Sequence, residues 1–127
     1  MTNQRQPNLQ TLAALPVMAH VVDGQLEAFE DQCVALQQAY DRPGSIDDGT
    51  IEHVLRVFTE TKQLMPIYDL QVEYWRDRCS PSPAQRREID RLAGQIAKSH
   101  AAIEHILALA AVIKTSTFET LVDSSWQ

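Results

Sequence analysis

The chain has 127 residues and a net charge of −6, with 11 Lys and Arg against 17 Asp and Glu. This length fits one domain and is too short for a catalytic domain with a separate binding domain. The negative charge disfavours binding to nucleic-acid phosphates. Only four Gly and few alternating β-branched residues favour an all-α fold. Residues 1–60 contain three Arg against nine Asp and Glu, so they carry the whole net charge.

The first predicted helix covers residues 8–42. Its apolar residues alternate spacings of three and four, the pattern of one buried helix face. They are Leu12, Leu15, Ala19, Val22, Leu26, Phe29, Cys33, Leu36 and Tyr40. Asn8 is the predicted N-cap, and Pro43 with Gly44 ends the helix. Pro16 lies inside the run and predicts a kink or a break there.

The second predicted helix covers residues 50–79 and repeats this pattern. Its stripe consists of Ile51, Val54, Phe58, Thr61, Met65, Tyr68, Val72, Trp75 and Cys79. Pro66 lacks the backbone N–H that would continue the helical hydrogen bonds, but the stripe keeps its phase across this residue. We therefore predict one helix with a kink near Pro66.

The third predicted helix covers residues 83–115. Its start is clear because Ser82, Pro83 and Gln85 have the form of an N-cap, a first-turn proline and a capping-box partner. Its stripe consists of Ile89, Leu92, Ile96, Ser99, Ile103, Ile106, Ala110 and Ile113. Ser116, in capping-box spacing with Glu119, indicates a further short terminal helix over residues 116–123.

Short connections make successive helices antiparallel. The prediction is therefore an up-down-up bundle of three long, partly Pro-kinked helices with short terminal helical segments. Residues 1–127 form one domain in this prediction, and residues 1–7 form a flexible N-terminus. The apolar run over residues 12–22 is too short to span a bilayer, so no membrane is expected. Cys33 and Cys79 lie on core stripes far apart along the bundle, which predicts reduced thiols and a cytoplasmic location.

Few residues in the sequence indicate a catalytic or metal-binding site. No histidine has the Glu-x-x-His spacing of metal-binding bundles, and no Gly-rich phosphate loop or zinc-type cysteine pattern occurs. Helix heights place His20, Asp69 and His100 within about one turn of each other, so this set is the candidate centre of a metal-binding or histidine-dependent activity. Solvated side chains beside the core stripes are the simpler interpretation. We predict no catalytic residue, no metal and no cofactor.

The segment from Ala19 to Gly24, with His20 and Asp23, resembles the His-x-x-Lys-Gly environment of histidine phosphotransfer domains, which are also helical bundles. The resemblance covers six residues and implies phosphoryl transfer through His20. In that family the lysine helps to hold the phosphoryl group. Asp23 occupies the lysine position here and would repel that group, so phosphotransfer is an alternative to our first hypothesis.

The second and third helices carry more apolar residues than one buried face needs. The additional residues, together with aromatic residues of the kind found at binding hot spots, define a predicted interface. Its members are Leu64, Ile67, Tyr68, Leu70, Tyr74, Trp75, Leu107 and Trp126. The terminal segments of the chain, a second copy or another helical protein are the alternatives for covering this surface.

The first functional hypothesis is a non-enzymatic protein–protein interaction module, either an adaptor, a chaperone-like protein or a regulatory bundle. Its expected partner is a second copy, which gives a homodimer, or another helical protein. One alternative is a phosphotransfer or metal-binding bundle centred on His20 and His100. The other is an acidic inhibitor or immunity-type protein that presents the first helix to a basic target.

Overall fold

The computed structural model describes the backbone of residues 8–125 and the side chains of residues 8–116. This part of the chain is all-helical and contains no strand. A 3-10 turn over Leu12–Ala14 precedes α1 (Leu15–Asp41), α2 (Asp48–Leu64), α3 (Pro66–Arg78) and α4 (Pro83–Ser125). α4 packs against α1, α2 and α3. The predicted all-α bundle, in which three long helical units pack together, is confirmed.

The start of α1 differs from the prediction. The α-helix begins at Leu15, and Pro16 lies in its first turn, where a missing backbone N–H breaks no helical hydrogen bond. Pro16 therefore lies at the beginning of a helix, which agrees with the predicted break and not with the predicted kink, although the segment before it is a 3-10 turn and not an α-helix. Asn8 is not an N-cap, because residues 8–11 are not helical. At the other end, Gly44 takes a φ of 86° that favours glycine, just after the helix ends.

The segment predicted as one helix over residues 50–79 forms two consecutive helices, α2 and α3, with Met65 between them. Asp47 caps α2, because its side chain accepts a hydrogen bond of 2.7 Å from the Thr50 N–H. Helical hydrogen bonding continues up to the junction, where the Met65 N–H donates to the Thr61 carbonyl at 3.1 Å. Pro66 then opens α3 as its first residue, a position that tolerates proline.

The predicted capping box at the start of α4 is confirmed. The Gln85 N–H donates to Ser82 Oγ at 3.1 Å, and the Ser82 N–H donates to Gln85 Oε1 at 2.9 Å. The predicted separate helix over residues 116–123 is wrong, because α4 continues through this segment to Ser125. No Gly or Pro follows Gly94 in the chain to interrupt it.

The core follows the three predicted stripes. Every member of the α4 stripe is buried, including the polar Ser99, whose hydroxyl donates to the Gln95 carbonyl at 3.0 Å. An edge-to-face contact between Phe29 and Phe58, with ring centroids 5.6 Å apart, joins α1 to α2. Tyr40 is the exception, because it is 47% exposed at the end of α1.

Ion pairs at the edges of the core connect the helices at several heights. They join Asp23 with Arg91, Glu52 with Lys114, Lys62 with Glu104, and Arg76 with Asp90. All of these side chains are at least 39% exposed, so each pair adds little stability. Their main effect is to favour one relative position of the helices over others.

By length and composition, the segment Pro83–Ser116 of α4 could cross a bilayer. The core helix of a soluble bundle has the same composition, because its buried isoleucines raise the mean hydropathy. The stripe of α4 supplies such buried isoleucines at positions 89, 96, 103, 106 and 113. Length and composition alone are therefore weak evidence that α4 spans a membrane.

Candidate interaction groove

The non-helical segment before α1 is held by two side chains of α3. Gln71 Oε1 accepts the Gln10 N–H at 2.7 Å, while Gln71 Nε2 donates to the Gln10 carbonyl at 3.0 Å. The Trp75 ring nitrogen donates to the same carbonyl at 2.9 Å. Gln71 is only 2% exposed, so its amide needs these partners. The three hydrogen bonds fix the N-terminal segment against α3.

This contact forms one end of an open groove between α1 and α3. The groove has a volume of about 340 Å³. It is lined by Gln10, Ala14, Val17, Met18, Val21 and Tyr68. Val17 is 68% exposed and Val21 is 42% exposed, although both are apolar. The protein thus presents aliphatic side chains to solvent at a concave site, which is the usual character of a binding surface.

The groove lies at one end of a second stripe on α1, which we name the lateral stripe. Its members alternate spacings of four and three, and each precedes a core-stripe residue by one position. They are Ala14, Met18, Val21, Gln25, Ala28, Gln32, Ala35 and Ala39. None of them is charged, and all are exposed or half-buried. A helix with two adjacent uncharged stripes is typical of one that packs against partners on two sides.

A matching stripe runs along α3. Ile67, Gln71 and Tyr74 each precede a core residue by one position, and Leu64 continues the spacing at the end of α2. Gln71 of this stripe reaches Gln10 at the end of the groove, and Ile67 and Tyr74 lie on the same face of α3 as Gln71. Leu64 is 70% exposed and Ile67 is 43% exposed. Tyr68 lines the groove from α3, and exposed apolar side chains continue along this face of α2 and α3.

The predicted interface residues divide into several groups. Leu64, Ile67 and Leu70 are exposed, while Tyr68 and Tyr74 are half-buried against the core. Leu107 is also half-buried and packs on the core. Trp126 lies outside the described residues.

The prediction is wrong for Trp75, which is completely buried and bonded to Gln10, so it is unavailable to a partner. The sequence analysis also missed the α1 wall, Val17, Met18 and Val21. The signal that could have found Met18 and Val21 is the run of uncharged residues one position before each core residue, and Val17 lies next to that run.

Most charged side chains of α1 lie away from the lateral stripe, and Asp31, three residues after Ala28 and four before Ala35, borders it. Asp23 accepts two hydrogen bonds from the Arg91 guanidinium, at 3.0 and 2.9 Å, and one from the Gln95 amide at 3.0 Å. The hydrogen bonds from Arg91, and then that from Gln95, lower the pKa of the Asp23 carboxyl below its ordinary value. Arg91 also binds Glu88. This cluster joins α1 to α4 on the side of α1 that carries its carboxylates.

Of the predicted set His20, Asp69 and His100, the structure brings only Asp69 and His100 together. His100 Nε2 lies 2.9 Å from an Asp69 oxygen, in a contact between α4 and α3. Asp23 is engaged by Arg91, and His20 is exposed. Among the side chains of residues 8–116, no three of His, Cys, Asp or Glu are grouped as metal ligands would be. The arrangement is that of solvated histidines beside the bundle core.

Cys33 and Cys79 are both free thiols, as the sequence predicted, and both are half-buried. Cys33 Sγ donates to the Ala102 carbonyl at 3.6 Å. Burial, together with the nearby Glu30 charge, raises the pKa of the Cys33 thiol and disfavours the reactive thiolate. Cys33 is therefore a small core residue on the α1–α4 contact.

No protein-family model matches this chain, and no curated protein or solved structure matches it significantly.

Proposed function

We propose that the protein is a soluble, cytoplasmic, non-enzymatic module that binds a helical protein surface through the α1–α3 groove. The observation that supports this proposal is the groove itself. There the exposed Val17 and Val21 line a concave site together with Tyr68. Apolar stripes on two neighbouring helices form a suitable site for an amphipathic helix, which would place its own apolar face between them. Adaptor, chaperone-like and regulatory roles all use such a site.

The contacts with α4 support an up-down-up arrangement around this groove, which we include in the proposal. Asp23 and then Cys33 of α1 contact Arg91 and then Ala102 of α4, so residue numbers rise together. The ion pairs of α2 and α3 with α4 run in the opposite order: Glu52 with Lys114, Lys62 with Glu104, and Arg76 with Asp90. The groove then separates two antiparallel helices, α1 and α3.

Capture experiments with groove variants test the proposed function. Tagged full-length protein is incubated in a lysate of its source organism, and captured proteins are quantified by mass spectrometry. We expect Val21→Glu, which places a charge in the groove, to lose most of a captured partner. Val34→Glu is the matched control, since Val34 is an exposed valine on the carboxylate side of α1. A partner retained equally by both variants contradicts binding through the groove.

A second candidate, an acidic inhibitor or immunity-type protein, is favoured by a different surface. Glu27, Glu30, Asp31 and Asp41 are exposed on α1, and none of them forms an ion pair within residues 8–116. A basic target would bind this surface, and its capture would weaken steeply as salt is raised. Glu27→Gln with Asp31→Asn would then abolish capture, whereas Val21→Glu would have no effect.

A further inference from the structure

We propose that the groove is occupied by a second copy of this chain, docked with two-fold symmetry so that each α1 lies across the other copy's groove. This inference rests on the proposed function and names the partner at the same site. The contact surface is the lateral stripe of α1 together with Leu64, Ile67 and Tyr74 beside it. Three observations support this choice of partner.

The first observation is the distribution of charge. Each copy has a net charge of −6, so two copies repel wherever their carboxylates come close. Glu27 and Glu30 occupy other positions of α1, the lateral stripe has no charged member, and Asp31 borders it beside Ala28 and Ala35. Two acidic copies can therefore meet along this stripe with one bordering carboxylate, Asp31, on each copy. A basic partner, in contrast, would be drawn to the carboxylate side of α1.

The second observation is the size of the uncharged surface. From Ala14 to Ala39 the lateral stripe is about 38 Å long, and a helix face about 10 Å wide gives roughly 400 Å². The segment from Leu64 to Tyr74 adds roughly 150 Å² by the same geometry. Two copies would together bury about 1,100 Å², slightly above the roughly 1,000 Å² expected of a specific interface. This area fits a reversible dimer.

The third observation is the shape of the lateral stripe. Ala28, Ala35 and Ala39 are small, and Gly24 beside them has open space around it, with no atom within 4 Å of a Cβ added there. Small residues let two helix axes approach to about 8 Å. Near the other end of α1, Val17 and Val21 protrude beside the concave groove. The surface thus combines a region where two helices can approach closely with side chains that can insert into the groove of the other copy.

Sedimentation equilibrium on the full-length protein, from about 1 µM to 1 mM, tests this inference. We expect the native chain to dimerise reversibly with a dissociation constant in roughly the micromolar range, as its small interface implies. Val21→Glu and Ala28→Glu are each expected to weaken dimerisation more than about tenfold, because every dimer would then bury two carboxylates. Val34→Glu adds the same charge outside the interface and is expected to dimerise like the native chain.

Salt gives a second readout. Dimerisation through an uncharged surface of an acidic protein should persist or strengthen as NaCl is raised from 0.05 to 0.5 M (about 14 to 4 Å in Debye length). Circular dichroism verifies that each variant remains helical, and all three substitutions are at exposed positions, so the fold is expected to survive.

The outcomes separate this inference from the proposed function. A native chain that stays monomeric to 1 mM (roughly the weakest specific affinity) overturns the second copy as partner. So does a dimer that Val21→Glu and Ala28→Glu leave intact, or one that Val34→Glu also abolishes. If a monomeric chain still captures another protein in a Val21-dependent manner, the proposed function stands and its partner is a different helical protein.

Discussion

Asp23 is a single residue whose environment has a measurable consequence. Its carboxylate receives hydrogen bonds from Arg91 and Gln95, which link α1 to α4. Those contacts lower its pKa in the folded protein below the ordinary value. A carboxyl with a lowered folded pKa stabilises the protein above its unfolded pKa, and this contribution is lost as the pH falls through the folded value.

The corresponding prediction concerns Asp23→Asn. At pH 6 the variant should have a lower free energy of unfolding than the native chain, by less than about 1 kcal/mol because the ion pair is partly exposed. The difference should shrink below about pH 4, where the unfolded carboxyl becomes protonated. Urea denaturation at pH 3, 4 and 6 measures it. Asp31→Asn is the control on the same helix, outside the Arg91 cluster. Equal pH dependence in both variants would contradict a special role for Asp23.

Gln71 is a second residue, and its burial could not be predicted from the sequence pattern. On α3 it lies one position before the core residue Val72, as the lateral-stripe residues of α1 lie before theirs. A polar side chain at such a position is expected to face water. In the structure its amide instead bonds both backbone groups of Gln10, 61 residues away, and it is buried. That pairing depends on the tertiary position of the N-terminal segment, which has no local signal.

At the scale of elements, the prolines and glycines have different effects according to position. Pro16, Pro66 and Pro83 all lie in the first turns of helices, where the missing N–H is tolerated. We predicted one helix to continue through Pro66, because the apolar stripe keeps its phase there, and we left a kink or a break open at Pro16. An apolar stripe indicates which face of a helix is buried. It does not indicate at which residues the helical backbone hydrogen bonds begin and end. The apolar pattern alone therefore could not fix the ends of α1, α2 and α3.

The two glycines Gly24 and Gly44 give a matched test of this positional effect. Gly24→Ala should raise the free energy of unfolding by about 0.5–1 kcal/mol, because it lies inside α1 with open space around it. Gly44→Ala should lower it by about 1 kcal/mol, because Gly44 has a φ of 86° that alanine rarely adopts. Thermal and urea unfolding of each variant measure the change in the free energy of unfolding. Shifts of the same sign would contradict the assigned backbone conformations.

At the scale of the whole molecule, α4 is the central element. It packs against each of the other helices, and its stripe is buried along its described length. The bundle thus depends on one helix for its core, while α1 and α3 leave a groove between them. This asymmetry explains why apolar residues on α1 remain exposed although α1 contributes fully to the core.

The central position of α4 predicts a large difference between two substitutions on it. Ile103→Ala removes a side chain that is 1% exposed, and it should lower the free energy of unfolding by about 2–4 kcal/mol through the cavity it leaves. Val112→Ala, at a position that is 45% exposed, should change it by less than about 0.5 kcal/mol. Urea denaturation followed by circular dichroism measures both. Comparable losses would contradict a single core centred on α4.

The sequence by itself determined the helical class, the three core stripes and the capping box of α4, since these depend on residues close together in the chain. It also placed exposed apolar residues on α2 and α3, at Leu64, Ile67 and Leu70. Only the tertiary structure decided that Trp75 is buried and that Val17 and Val21 line a groove. The reason is that burial of a lateral residue depends on which helices stand beside it and how far apart they lie, and that distance is set by contacts distant in sequence.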